Sequence, residues 1–118
     1  MSSLKKFLFS FVYAFQGIKE ALKSERNLKV HCGIMLIVIL CGIYYQISIV
    51  EWLACLCCFG LVIMAELFNT ALETVVNLVS PEKNELARKA KDISAGAVLI
   101  AAIFSAIIGL IIFLPKVF

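Results

Sequence analysis

Charged side chains are scarce in this chain. Only 16% of its 118 residues are Asp, Glu, Lys or Arg, whereas 63% are hydrophobic. Soluble proteins average about 25% charged and about 45–50% apolar residues, and a chain this short has too much surface to bury such an excess. The composition therefore excludes a disordered segment, a fibrous repeat, a nucleic-acid-binding domain and a small secreted protein. It predicts an integral membrane protein with a single domain, residues 1–118.

The common metal-binding and phosphate-binding motifs are also missing. His31 is the single histidine, and the C-x-x-C pair formed by Cys55 and Cys58 lacks the two further ligands of a structural zinc site. All five cysteines fall in apolar runs, so we interpret them as small buried hydrophobic residues rather than as disulfide partners. The six glycines form neither a G-x-x-x-x-G-K-[ST] loop nor the glycine-rich loop of protein kinases. A nucleotide would have to be held by side chains and a helix edge.

Residues 4–27 predict an amphipathic helix that lies in the membrane interface. Apolar side chains recur at three- and four-residue spacing from Leu4 to Leu22, and lysines and polar residues occupy mostly the other face. A cleavable signal peptide is the alternative, because two lysines precede the apolar residues. Gln16 and Lys19 interrupt that stretch, however, and no small-residue cleavage site follows it.

Three further apolar stretches, residues 30–50, 52–80 and 93–114, predict transmembrane helices. Each is long enough to cross a hydrocarbon layer of about 30 Å at about 1.5 Å per residue. Basic residues cluster before the first span and between the second and third, whereas the segment between the first two has none. The positive-inside rule then places the amino terminus in the cytoplasm. We expect an all-α bundle of three transmembrane helices plus the interfacial helix, and because three spans enclose little volume, we expect it to oligomerise.

The second span carries polar residues on one face. At about 100° per residue, Glu66, Asn69, Glu73 and Asn77 lie within one stripe of about 80°. A charged side chain at the bilayer centre costs about 2.5–3.5 kcal/mol on insertion scales, so the stripe cannot face lipid. Measured from Trp52 at the outer interface, Glu66 lies about 21 Å down the helix. The stripe predicts a site where a water-soluble and a lipid substrate meet; a polar seam between packed helices is the alternative.

Two other charged clusters reach the same membrane level. Residues 25–29 follow the interfacial helix, and Lys91 and Asp92 precede the third span after a polar loop. Paired carboxylates suit Mg²⁺ that bridges phosphates, and lysines suit phosphate oxygens. Taken alone, each cluster is equally compatible with ordinary interfacial charge.

The residues described so far resemble the signature of the prokaryotic diacylglycerol kinase family, which includes the undecaprenol kinases. The resemblance lies in an E-x-x-N-[ST]-x-x-E core, Glu66-Leu67-Phe68-Asn69-Thr70-Ala71-Leu72-Glu73-Thr74-Val75-Val76-Asn77. It extends to Glu25-Arg26-Asn27, Ala90-Lys91-Asp92 and Ala95-Gly96-Ala97-Val98-Leu99. It implies a homotrimer with active sites shared between subunits, in the bacterial inner (plasma) membrane. The implied reaction transfers the ATP γ-phosphate to a lipid hydroxyl, with no nucleic-acid partner.

The resemblance also implies roles for individual residues. Glu66 would be the general base that accepts the proton of the lipid hydroxyl, and Asn69 would position groups beside it. Glu25 and Glu73 would hold Mg²⁺ together with the nucleotide phosphates. The other expected nucleotide-binding residues are Lys6, Tyr13, Glu82, Lys83, Asn84, Lys91 and Asp92.

The chain departs from the family pattern at a few positions. Asn77 stands where an aspartate is usual, and Lys83 and Asn84 differ from the commoner residue types. Residues 25–29, with His31 beyond them, are more similar to the undecaprenol kinase branch. Undecaprenol is therefore the expected substrate, giving undecaprenyl phosphate, and diacylglycerol, giving phosphatidic acid, is the alternative.

Two other classes of protein are remote alternatives. A small proton-coupled transporter would show four spans and an isolated acid, whereas this chain has three spans and a spaced pair of acids. A non-catalytic assembly subunit would explain a polar packing seam. It would leave the match at Glu25, Lys91 and Asp92 unexplained.

Overall fold

The structure is a computed structural model that describes residues 2–118, and these residues form four α-helices joined by short turns. The helices are α1 (Ser3–Ser24), α2 (Arg26–Tyr45), α3 (Ile49–Val79) and α4 (Glu85–Val117). Helices α2, α3 and α4 are each long and apolar enough to cross a membrane. The chain is therefore an all-helical membrane protein. We call the end of the bundle at the α2–α3 turn the turn end, and the opposite end, where α1 lies, the α1 end.

Helix α1 is amphipathic and packs little against the rest of the chain. Ser2 caps it, since its hydroxyl accepts a hydrogen bond from the Lys5 amide at 3.2 Å. Ala21 is buried, but the large apolar side chains from Leu4 to Ile18 are exposed. An exposed apolar face on a helix of this kind suits the membrane interface or a neighbouring subunit.

The junction of α1 and α2 lies inside the stretch predicted as one amphipathic helix. Glu25 has extended backbone angles, and its amide donates to the Ala21 carbonyl at 2.8 Å, which closes α1. Arg26 and Asn27 consequently begin α2 instead of continuing the predicted helix over residues 4–27. Lys29 also ties the two helices together, because its ammonium donates to the Lys23 carbonyl at 3.1 Å.

The turn between α2 and α3 comes earlier than the sequence prediction of spans over 30–50 and 52–80. Gln46 adopts the left-handed conformation at φ 51°, and its amide donates to carbonyls of the last turn of α2. Ser48 and Glu51 then form a capping box: the Ser48 amide donates to the Glu51 carboxylate at 2.9 Å, and the Glu51 amide donates to the Ser48 hydroxyl at 3.2 Å. The S-x-x-E spacing was a readable signal for this helix start.

Tight packing at the turn end joins α2, α3 and α4. Ile47, Cys55 and Ile112 are buried together there, with partly buried aromatic side chains around them. Trp52 lies against Gly42 so closely that a Cβ added at Gly42 would sit 2.6 Å from the Trp52 ring. The Lys116 ammonium donates to the Glu51 carboxylate at 2.7 Å, which links the end of α4 to the start of α3.

Helix α4 is longer at both ends than the predicted span over residues 93–114. Asn84 caps its start by accepting hydrogen bonds from the Leu86 and Ala87 amides, at 2.8 and 3.4 Å. Lys91 and Asp92 therefore lie within the helix and not in a preceding loop. Pro115 does not end the helix, since a proline there forgoes only one backbone hydrogen bond and α4 continues to Val117.

The protein interior is small. Helix α3 packs mainly against α4 and less against α2, while most large apolar side chains of all three spans are exposed. That surface matches a lipid or subunit environment rather than water. Two of the few buried side chains within residues 2–118 are polar, Glu66 and Asn69, and both belong to α3.

Candidate active site

Glu66 lies in the interior of the bundle, on the half of α3 nearer the α1 end. Glu66 is only 2% exposed, and its carboxylate oxygen Oε1 lies 3.2 Å from Nε2 of His31 on α2. Burying a carboxylate is costly unless it is paired. Within residues 2–118, His31 is the side chain that lies at ion-pair distance from Glu66.

Asn69 follows Glu66 after about one helical turn and is 8% exposed. Its side-chain oxygen Oδ1 is buried and, among the described residues, has no hydrogen-bond partner. Buried polar atoms are nearly always paired, so an orphaned acceptor of this kind indicates a donor supplied from outside the chain. Thr70, beside it, instead donates its hydroxyl to the Glu66 backbone carbonyl at 2.9 Å.

Exposure along the polar stripe increases steadily toward the α1 end. Glu66 and Asn69 are buried, Glu73 is half-buried, and Asn77 is exposed. The stripe therefore leads from the bundle interior to the surface at that end. This gradient is the geometry expected where a polar ligand approaches from water and reaches a buried carboxylate.

A polar groove of about 590 Å³ opens at the α1 end between the end of α3 and the start of α4. Five residues predicted to bind nucleotide line it together: Glu82, Lys83, Asn84, Lys91 and Asp92. Asn77 lines the same groove, so the polar stripe and the groove are continuous.

Arg88 organises the charges of this polar groove. Its guanidinium lies 2.6 Å from the Asp92 carboxylate and also contacts the Glu85 carboxylate. All three side chains are largely exposed, so the pairs contribute little to stability. The sequence prediction missed Arg88, although its i,i+4 spacing to Asp92 on a helix was a readable signal.

A second groove of about 530 Å³ runs between α1 and α3. Its lining is mostly small or apolar, from Ala14 to Ser24 on α1 and from Leu67 to Thr74 on α3. Neither predicted metal ligand lines this groove, although Ser24 and Thr74, the sequence neighbours of Glu25 and Glu73, do.

Other predicted residues are not brought to these sites within one chain. Lys6 and Tyr13 lie on the exposed surface of α1 and line neither groove. Glu25 and Glu73 do not gather a third acidic, histidine or cysteine ligand, since residues 2–118 contain no group of three such side chains. A single chain therefore holds parts of the predicted site at separate places.

His31 is the neighbour of Glu66 that the sequence prediction did not assign to the site. The prediction noted His31 as the single histidine and as a mark of one family branch. Its position at the start of the apolar run of α2 was a signal, because an imidazole within a membrane span needs a polar partner. Which acid it meets depends on how α2 and α3 pack, and that is a property of the fold.

Three helices of membrane-spanning length, a buried glutamate and a charged groove at the α1 end define the chain as a membrane protein with a polar site. The chain belongs to the prokaryotic diacylglycerol kinase family, whose model matches residues 12–113. It is 43% identical to an undecaprenol kinase of Bacillus subtilis, over 98% of this chain and 94% of that protein. It is 42% identical to a diacylglycerol kinase of Synechocystis over 92% of this chain, a match that spans 62% of that protein's length. It is 32% identical to a diacylglycerol kinase of Haemophilus influenzae over 85% of each chain. The chain is therefore a lipid kinase.

Proposed function

We propose that this lipid kinase phosphorylates undecaprenol with ATP and so forms undecaprenyl phosphate. The observation that carries this choice is the 43% identity to the Bacillus subtilis undecaprenol kinase, which extends over nearly the full length of both proteins. Diacylglycerol is the second candidate substrate. It is favoured by the 42% identity to the Synechocystis diacylglycerol kinase, although that match leaves more than a third of the relative uncovered.

Glu66 acts as the general base in this proposal. The oxygen of the lipid hydroxyl attacks the γ-phosphorus of ATP, the hydroxyl proton passes to the Glu66 carboxylate, and ADP leaves. The burial of Glu66 supports the role, since a carboxylate shielded from water is available to a lipid alcohol entering from the bilayer. Asn69, with its orphaned oxygen, accepts a hydrogen bond from a substrate group beside the base.

Glu25 and Glu73 are the residues proposed to hold Mg²⁺. The residues fit this ion, because Mg²⁺ is usually bound by one or two carboxylates while substrate phosphates and water complete its coordination. Glu25 and Glu73 are both half-buried, and two carboxylates meet that need even without a third protein ligand. When bound, the ion would neutralise charge on the transferring phosphate.

The polar groove at the α1 end is the proposed nucleotide site, with Lys91 as its phosphate-binding cation. Glu66 and Asn77, which lines that groove, are 11 residues apart on one helix, or about 16 Å. A phosphate lying in the groove of one subunit is thus distant from Glu66 of the same subunit. We infer that neighbouring subunits complete the site in a homotrimer. Lys6 and Tyr13, on the exposed α1, would then contact nucleotide in the assembly.

The charge distribution supports placement in the bacterial inner membrane with the amino terminus in the cytoplasm. Basic residues lie at the α1 end, before α2 and around the α3–α4 loop, and the turn between α2 and α3 has none. The positive-inside rule then puts the α1 end and its groove on the cytoplasmic side, where ATP is available.

A paired phosphorylation assay tests the substrate. The purified protein in mixed micelles is given γ-labelled ATP, Mg²⁺ and an equal mole fraction of either undecaprenol or diacylglycerol. We expect at least tenfold higher kcat/KM for undecaprenol. A higher kcat/KM for diacylglycerol would show that diacylglycerol, and not undecaprenol, is the preferred substrate. Failure to label either lipid would contradict the lipid kinase mechanism. Omission of Mg²⁺, with excess chelator, should abolish labelling in both arms.

A further inference from the structure

His31 is the neighbour of Glu66 whose position calls for an explanation. It is the single histidine of the chain, and it lies near the start of α2, where the polar residues Arg26, Asn27 and Lys29 give way to an apolar run. Its side chain is 20% exposed, whereas Glu66 is 2% exposed, and the Nε2···Oε1 separation is 3.2 Å. The two atoms are therefore in contact at ion-pair distance.

We propose that His31 is a positioning residue for the kinase reaction: its Nε2–H donates to Oε1 of Glu66 and holds that carboxylate in the orientation needed to accept the proton of the lipid hydroxyl. This inference rests on the proposed role of Glu66 as the base. A carboxylate has two oxygens, so fixing Oε1 leaves Oε2 as the defined acceptor for substrate. His31 does not itself exchange a proton with the lipid.

The location of the pair explains why positioning is needed. A glutamate side chain has three rotatable bonds, and within residues 2–118 the Glu66 carboxylate has no other side-chain anchor at ion-pair distance. Thr70 bonds the Glu66 backbone carbonyl and leaves the carboxylate unrestrained. A displacement of about 1 Å at a reacting group costs on the order of a hundredfold in rate. His31 lies on a different helix from Glu66, so it also fixes the base relative to α2.

Two substitutions separate positioning from simple packing. Leu fills much of the imidazole volume without a donor, while Gln restores an amide N–H close to the place of Nε2. We expect His31→Leu to lower kcat by about ten- to a hundredfold, with KM for Mg-ATP and for the lipid each within about twofold of wild type. We expect His31→Gln to recover kcat to within about fivefold of wild type. Wild-type kcat in His31→Leu, or equal losses in both variants, would overturn the proposal.

A spectroscopic measurement tests the contact without relying on turnover. Because the chain has one histidine, protein labelled with ¹⁵N-histidine gives unambiguous imidazole signals by NMR in micelles. We expect Nε2 to carry the proton, and we expect its resonance to shift in Glu66→Gln but not in the control variant Glu73→Gln. An Nε2 chemical shift that is unchanged in Glu66→Gln would refute the contact, even if His31→Leu failed to fold. A wild-type protein that labels no lipid but shows the shift would refute the proposed base and leave the contact intact.

Discussion

Replacement of Glu66 by glutamine is the most direct test of the proposed mechanism. Glutamine has nearly the same shape as glutamate, and its side-chain oxygen still accepts a hydrogen bond from His31. The substitution therefore removes the basic function while the helix packing around it is retained. Burial of a charged carboxylate is costly, so the neutral side chain should not reduce stability. Glu66→Gln should have a melting temperature equal to or above that of wild type.

The expected loss of rate follows from the burial of the site. Positioned general bases contribute about 10²–10⁴-fold, which corresponds to about 2.7–5.4 kcal/mol of transition-state stabilisation. With Glu66 only 2% exposed, bulk water does not readily replace it as the proton acceptor. We therefore expect kcat to fall at least a hundredfold. KM for Mg-ATP should stay within about twofold, because the residues proposed to hold Mg²⁺ and the nucleotide do not include Glu66.

Glu51→Gln is a matched control for this experiment, since it makes the same change in the same helix. Glu51 lies at the turn end, 15 residues or about 22 Å from Glu66. It pairs with Lys116 and not with any part of the proposed site. We expect kcat within twofold of wild type and a small decrease in melting temperature from the lost ion pair. The assignment of the base would be refuted if Glu66→Gln kept more than a tenth of wild-type kcat, or if Glu51→Gln lost as much activity.

Three further substitutions test the metal site, the orphaned amide and the turn-end packing. Glu73→Gln should raise KM for Mg-ATP tenfold or more with the fold intact, measured by titrating ATP at fixed excess Mg²⁺; an unchanged KM would contradict the metal role. Asn69→Leu should raise the melting temperature, because an unpaired buried acceptor costs about 1–3 kcal/mol, yet lower kcat; a variant of wild-type activity would show that Asn69 contacts no substrate. Gly42→Ala should destabilise the protein by about 1–3 kcal/mol, because its Cβ would lie 2.6 Å from the Trp52 ring. Gly33→Ala, whose Cβ meets nothing within 4 Å, should be neutral or stabilising in the same thermal unfolding assay.

The helical content of the fold could be predicted from sequence because it depends on local pattern. Apolar runs long enough to span a bilayer, and an amphipathic segment before them, indicate an all-helical membrane protein without reference to packing. The helix ends were less accurate, although their signals were present. Ser48 with Glu51, and Asn84 before Glu85, are ordinary capping sequences, and each marks a helix start several residues earlier than hydrophobicity alone suggests.

The candidate site was only partly predictable, because it joins local pattern to packing. The helical spacing of Glu66, Asn69 and Glu73 was visible in sequence, since it lies on one helix. The contact with His31 was not, because residues 35 positions apart meet only through the relative rotation of α2 and α3. Likewise, the prediction began the third span at residue 93, and the pairing of Arg88 with Glu85 and Asp92 became visible only once Asn84 was seen to start α4.

The two ends of the helical bundle differ in the contacts that they complete within one chain. At the turn end, aromatic packing and the Glu51–Lys116 pair hold three helices together within one chain. Toward the α1 end, Asn69 has a buried oxygen that finds no hydrogen-bond partner among residues 2–118. A chain that leaves a buried polar group unpaired at this end is suited to completing its site by association. The lipid, the nucleotide and a neighbouring subunit would then all bind at the α1 end, and the donor that Asn69 lacks would come from one of them.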